Sequence, residues 1–194
     1  WIDQTATTVI RINGLDTPEC FEDMRAIANA PTLPDAVMVP EVARAEDIRT
    51  IAQYIEAHEL SLGIVPLVER PSAVLNLHSI ATADSRVEAL VFGDYDFRRH
   101  MGISTREKHP ETLVPRYAIS MAASAAGVPA IDSVYLHTED DTGLRLEAKT
   151  ALSIGFDGKL ATNPTQVAPI NDVFTPSDAE IRTAMQLIEE FEAA

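Results

Sequence analysis

Two acids stand at the ends of two successive apolar runs. Glu69 closes the run Gly63-Ile64-Val65-Pro66-Leu67-Val68, and Asp96 follows Ala89-Leu90-Val91-Phe92-Gly93-Asp94-Tyr95. One helix-length segment, residues 70–83, separates the two runs. This is the pattern of a strand–helix–strand unit with a carboxylate near the carboxyl end of each strand. Neighbouring parallel strands lie ~4.8 Å apart, so both acids reach one hard cation. Magnesium suits such a pair, because it takes one or two carboxylates and fills its shell with water and substrate oxygens. In α/β barrels that end of the strands carries the chemistry. Asp94 competes with Asp96 for the second position, and Gly93 permits the sharp turn that aims either acid inward.

A third group is Arg11, inside the apolar run Val9-Ile10-Arg11-Ile12-Asn13. A charge within such a strand is costly unless paired. It is either a structural partner for a barrel acid or an anchor for a substrate carboxylate, which its fork of donors matches. Its place near the strand's carboxyl end favours the anchor. The histidines His58, His78, His100, His109 and His137 show no metal-ligand spacing, and His58-Glu59 lacks the second histidine of a zinc-protease helix. Neither Gly-x-Gly-x-x-Gly nor a P-loop occurs, which removes the main support for a nucleotide fold. Asp140-Asp141 reads as a helix cap or a turn.

These groups need a scaffold, and the chain supplies alternating elements. Strands are expected at Thr7–Asn13, Asp35–Val42, Leu62–Glu69, Val87–Phe92, Ala130–Leu136 and Gly155–Thr162. Between them, helices are expected at 18–29, with Thr17-Pro18 as cap and first residue and Phe21, Met24, Ile27 and Ala28 on one face. Others run to about Glu59, with Ile48, Ile51, Ala52 and Ile55 at helical spacing, and over 70–83, 112–126 and 143–154. Residues 98–111 read as a long polar loop, a kind often functional in compact domains. The last helix opens with the capping box Ser177-x-x-Glu180 and is expected to pack Ile181, Ala184, Met185, Ile188 and Phe191. Strands alternating with helices imply a parallel sheet with right-handed crossovers in one domain. Six such units make either an open doubly wound sheet or three-quarters of an eight-stranded barrel.

Composition narrows the function classes. The 194 residues carry a formal net charge of -15, with no Lys/Arg cluster beyond the short Arg98-Arg99-His100. Nucleic-acid binding, which needs such clusters, is not expected; the acidity reads as a soluble, charged surface. No stretch is long and apolar enough to span a membrane, and no secretory signal is visible. The single cysteine, Cys20, excludes an internal disulfide and fits a reducing, cytoplasmic setting; on its expected helix it reads as structural, not as a catalytic thiol.

In order along the chain, VIRIN, VMVPEV, PLVERPSAV, LVFGDYDF, AAGVPAIDSVY, the D-x-x-G-L turn near Asp140–Leu144, GFDGKLATNPTQ and FTPSDAEI resemble the citrate lyase beta-subunit-like branch of the HpcH/HpaI aldolase superfamily. The resemblance runs from about residue 7 to the last helix. It implies a (β/α)₈ barrel of the TIM type that makes or breaks a carbon–carbon bond next to a keto acid, commonly with acyl-CoA substrates and Mg²⁺. Carried over by motif, Glu69 and Asp96 match the metal-binding glutamate and aspartate, and Arg11 matches the arginine that holds the substrate's carboxylate or carbonyl oxygen. Three positions depart from the pattern: Pro40-Glu41 stands for Pro-Lys, Arg70 for the threonine after the metal glutamate, and Asn163-Pro164 for His-Pro.

The resemblance also implies that Thr7–Asn13 is barrel strand three. The first two strands, with an acidic segment beside the metal, are then absent from a chain that starts at Trp1. The C-terminal extension that bears a catalytic acid in longer members is absent too. The expected activity is a Mg²⁺-dependent carbon–carbon lyase, cleaving a malyl-, citramalyl- or citryl-CoA-type thioester to a keto acid and an acyl-CoA, in a homotrimer. The alternatives are a pyruvate-type aldolase acting on CoA-free hydroxy keto acids, and an inactive fragment or non-catalytic subunit.

Overall fold

The computed structural model describes residues 6–103 and 112–192. Six strands form one parallel sheet: β1 (Val9–Arg11), β2 (Ala36–Val39), β3 (Gly63–Val68), β4 (Leu90–Phe92), β5 (Ala130–Asp132) and β6 (Gly158–Lys159). They pair strictly in chain order, each with its sequence neighbour. A doubly wound sheet reverses direction at a switch point, whereas a barrel wall does not. The order therefore makes this sheet an arc of a barrel wall and resolves the choice between the two.

Strand β3 shows why. All six of its residues are buried, and alternate side chains serve different layers. Ile64 and Val68 join the main core with Met24, Ile48, Ile51, Ile55, Ile80 and Ile119, all from helices on one face. Val65 and Leu67 join Ala36 and Val91 on the opposite face. A strand buried on both faces reads as an unbroken apolar run, which is what the sequence carries here.

The helices follow with some changes. Helix α1 (Glu19–Ala28) buries Cys20, Met24 and Ile27; its buried stripe is centred on Cys20, while Phe21 and Ala28 are only half-buried. Thr17 does not cap it: its hydroxyl donates to the Gly14 carbonyl at 2.8 Å. Helix α2 (Ala45–Ala57) buries Ile48, Ile51, Ala52 and Ile55 as their spacing predicts. The helix expected over 70–83 is two short ones, α3 (Pro71–Leu75) and α4 (Leu77–Ala81). The break is at Asn76, whose side-chain amide donates to the carbonyls of Ser72 and Ala43 at 2.9 and 3.3 Å.

The segment read as a polar loop over 98–111 begins as a helix instead. Helix α5 (Asp94–Met101) is held by an Asp94–Arg98 ion pair of 2.6 Å at i,i+4 spacing. It ends at Gly102, whose φ of 68° is the left-handed conformation common after a helix. Residues 104–111 of that segment lie outside the described residues. Helices α6 (Leu113–Ala126) and α7 (Asp141–Ile154) stand close to their expected places, and α8 (Val167–Phe174), unforeseen from the sequence, buries Ile170.

The last helix, α9 (Asp178–Glu192), has its capping box: Glu180 accepts from the Ser177 hydroxyl and amide at 2.6 and 2.8 Å. Its packing is a correction. No residue of α9 is buried, and Ile181, Met185, Ile188 and Phe191 are exposed. Apolar periodicity identifies a face and says nothing of what covers it.

Candidate functional site

Glu69 is the first residue past β3, so the strand delivers its carboxylate to the carboxyl end of the sheet. It is only 2% exposed. The Glu41 main-chain N–H donates to its Oε2 at 2.9 Å, and among the described residues that is its one hydrogen bond. Gly93, at the end of β4, makes room for it: a Cβ there would stand 2.3 Å from Glu69 Cγ. Burial pushes the Glu69 carboxyl above the usual range. The Glu41 amide and the Arg11 charge pull it down, while the charges of Asp96 and Glu41 push it up.

Arg11 and Asp96 are thus within electrostatic reach of Glu69, and the three expected site residues lie at one end of the sheet. Their settings differ from expectation in two respects. Arg11 is the last residue of β1, which is exposed along its length among the described residues. It makes no ion pair among the described residues, which leaves its donors available. Asp96 sits in the first turn of α5, not on the strand end, and pairs with Arg99 at 3.1 Å. Asp94 is turned to the buried Arg98.

Sequence reasoning missed the group that organises this end. Glu41 follows β2 and has a φ of 57°, a left-handed conformation uncommon for a residue with a side chain. That backbone aims its N–H at Glu69. Its carboxylate receives Arg70 Nε at 2.5 Å and His100 Nε2 at 2.9 Å, and Arg99 lies 3.7 Å away. Burial pushes the Glu41 carboxyl up, but the hydrogen bonds and charges of Arg70 and His100 outweigh this and leave it below the usual range. Arg70 also reaches Asp16 at 3.2 Å. The two departures noted in the sequence, Glu41 and Arg70, are therefore partners. Their complementary charges at successive strand ends were the available signal.

Arg11, Asn13, Asp16, Thr17, Pro40 and Glu41 line a cleft of about 300 Å³. A buried carboxylate with one hydrogen bond is short of positive charge, so the donor set fits a hard cation held by Glu69 and Asp96. Among the described residues no group of three or more His, Cys, Asp or Glu side chains is placed to hold a metal ion. Two protein carboxylates, with the remaining positions left to water and substrate, is a usual arrangement for magnesium.

Elsewhere the charges are structural. Asp132, at the end of β5, is fully buried and takes Arg116 at 2.8 and 3.1 Å and Lys159 at 2.9 Å. Asp140 caps α7 through the Gly143 amide and accepts from the Tyr135 hydroxyl at 2.6 Å. Asn163 caps the short turn Pro164–Gln166. Cys20 is wholly buried, and burial, aided by Asp23, pushes its thiol up. No helix among the described residues is long and apolar enough to cross a membrane.

Six parallel strands paired in chain order, with Glu69 and Asp96 near their carboxyl ends, make a partial α/β barrel with an acidic end. The chain belongs to the HpcH/HpaI aldolase/citrate lyase family, whose model matches residues 2–164. It is 29% identical over 201 residues to mitochondrial citramalyl-CoA lyase of Rattus norvegicus, covering 96% of this chain and 60% of the relative. It is 34% identical over 189 residues to a (3S)-malyl-CoA thioesterase of Cereibacter sphaeroides, covering 96% of this chain and 63% of that one. The chain thus spans about 60% of the length of these curated relatives. Among solved structures it resembles the citrate lyase beta subunit of Mycobacterium tuberculosis complexed with oxaloacetate and magnesium, with a TM-score of 0.75 at 28% identity over 87% of this chain and 73% of that chain.

Proposed function

We propose that this chain is the metal-holding part of a carbon–carbon lyase that cleaves a β-hydroxyacyl-CoA of the malyl, citramalyl or citryl type into an oxo acid and an acyl-CoA. The observation that carries this is Glu69, a nearly fully buried carboxylate beside Asp96 and Arg11, with one amide donor to Glu69 and no ion pair at Arg11 among the described residues. The relatives named for citramalyl-CoA and malyl-CoA chemistry, and the neighbour complexed with oxaloacetate and magnesium, support the same reading.

Glu69 and Asp96 would hold Mg²⁺. When bound, the ion supplies Lewis acidity toward the oxygen that becomes the ketone. Arg11 binds and orients the carboxylate of the departing oxo acid and balances its charge. Glu41 fixes the rotamer of Glu69 through its amide. In the reaction the hydroxyl proton is removed, the bond between the carbinol carbon and the thioester α-carbon breaks, and the thioester enolate takes up a proton to become the acyl-CoA. We assign the base to no residue of this chain.

Within this reading the six strands are barrel strands three to eight of a single domain, with the first two strands outside this chain. The whole enzyme is cytoplasmic and a homotrimer. The test is oxo-acid release from malyl-, citramalyl- and citryl-CoA with Mg²⁺ and then with a chelator. Metal-dependent release that Glu69→Ala abolishes is the expected result; turnover unchanged by chelator or by Glu69→Ala would sink the assignment. Cleavage confined to CoA-free hydroxy keto acids would point to an aldolase instead.

A further inference from the structure

We infer that Asp23, on α1, is a positioning residue for the substrate carboxylate, acting through Asn13 on the aim of Arg11. The inference rests on the lyase reading above, in which Arg11 holds that carboxylate. Arg11 ends a strand that is held on one side: among the described residues β1 hydrogen-bonds to β2 alone. The ladder runs as far as the Ile12 amide, which donates to the Met38 carbonyl at 3.1 Å. One residue further on, a side chain takes over. Asp23 Oδ2 accepts from the Asn13 main-chain N–H and from Asn13 Nδ2, both at 2.8 Å.

This clamp has a firm base. Cys20, Met24 and Ile27 of α1 are buried, so Asp23 is carried by a helix seated in the core. Ile12, 2% exposed, belongs to the same core. Arg11 and Asn13 both line the cleft, and Asp23 is not among its lining residues. Asp23 therefore acts on a ligand there only by fixing the chain that meets it. A carboxylate that accepts from two donors of one residue makes charge-assisted bonds. Without them the chain beyond Ile12 loses its tether, and the guanidinium fork of Arg11 loses the alignment that two-point recognition of a carboxylate requires. Glu69 and Asp96 stand on other elements, β3 and α5, so cation binding does not depend on the clamp.

The test is calorimetric titration with Mg²⁺, then of the Mg²⁺-loaded chain with pyruvate, glyoxylate and oxaloacetate in turn. It is run on the unaltered chain, Asp23→Ala, Asp23→Asn, Arg11→Ala and the Asp23→Ala/Arg11→Ala double variant. Asn keeps an oxygen that accepts from Asn13; Ala does not. The expected result is unchanged Mg²⁺ affinity in both Asp23 variants. The preferred oxo acid should bind about tenfold more weakly to Asp23→Ala, with most of the loss recovered in Asp23→Asn. Asp23→Ala should add no further loss once Arg11 is replaced. Should Asp23→Ala not fold, Asp23→Ser takes its place, polar but shorter. Oxo-acid binding unchanged in Asp23→Ala, Mg²⁺ and oxo acid weakened together, no recovery in Asp23→Asn, or losses that add to those of Arg11→Ala each overturn the inference. Each leaves the lyase reading standing, because the unaltered chain still binds an oxo acid with Mg²⁺. Binding of none of the three acids to the unaltered chain overturns both.

Discussion

Glu41 and Glu69 are joined backbone to side chain: the amide of the first donates to Oε2 of the second at 2.9 Å, across the ends of β2 and β3. The bond depends on the left-handed φ of 57° at Glu41. One acid therefore sets the aim of the other, while its own carboxylate is occupied by Arg70 and His100. The site is held by a network that crosses three successive strand–helix units.

Gly93→Ala tests the tightness of that network. The added Cβ would stand 2.3 Å from Glu69 Cγ, so the Glu69 side chain must move. We expect Mg²⁺ affinity, measured calorimetrically, to fall at least tenfold, with a loss of about 1–3 kcal/mol in urea unfolding from overpacking. Unchanged metal affinity would mean that the Glu69 rotamer seen here is not the binding one.

The buried ion cluster at β5 and β6 makes an energetic prediction. Asp132 and Lys159 are both without exposed side-chain surface. Asp132→Asn leaves both Arg116 and Lys159 without their shared carboxylate and is expected to cost about 3–5 kcal/mol in urea unfolding. Lys159→Met leaves Asp132 paired with Arg116 and costs less. The reverse order would show that the lysine, not the aspartate, is the centre of the cluster.

Tyr135 should titrate late. Its hydrogen bond to Asp140, with burial and the charges of Asp140 and Glu147 adding to it, pushes the phenol up to about 12. The folded value lies above the unfolded one, near 10. The interaction therefore contributes stability that is fully present below about pH 10 and is lost as pH rises through about 12. Phenolate absorbance, compared with Tyr135→Phe, should show one tyrosine ionising late; ionisation of that residue near pH 10 would rule the bond out in solution.

Removal of residues 178–194 should leave the melting temperature within about 2–4 °C, the shift that 1 kcal/mol produces in a chain of this size. No side chain of α9 is buried, so little packing is lost, although far-ultraviolet dichroism should lose a helix. A larger drop would show that α9 packs on the rest of the chain in solution.

Much of the scaffold was legible because burial on two faces leaves a plain mark. The run Ile64–Val68 and the spacing of Ile48, Ile51 and Ile55 admit few other readings. The boundaries failed where local side chains took over, as at Asn76, whose amide ends α3, and at Arg98, whose pairing with Asp94 draws a polar stretch into a helix. Glu69, Asp96 and Arg11 stand at one end of the sheet, as their types and positions along the chain implied. Glu41 was legible only as a charge complementary to Arg70; its hold on Glu69 depends on a left-handed backbone that no pattern of residue types announces. The apolar face of α9 misled for a related reason: an amphipathic stripe records a preference, and its partner is a separate fact.

The sheet's neighbour-by-neighbour order bears on how the chain is made. β1 aligns Val9 with Ala36, β2 aligns Ala36 with Gly63, and even the longest step, Leu90 to Ala130, joins strands consecutive in the chain. Among the described residues no strand waits for a distant partner before it can hydrogen-bond. A polypeptide leaving the ribosome at a few residues per second can add each strand to the growing edge as it emerges. Glu41 and Glu69 then come within reach of each other once β3 has docked, so the core of the site is assembled while the second half of the chain is still being synthesised.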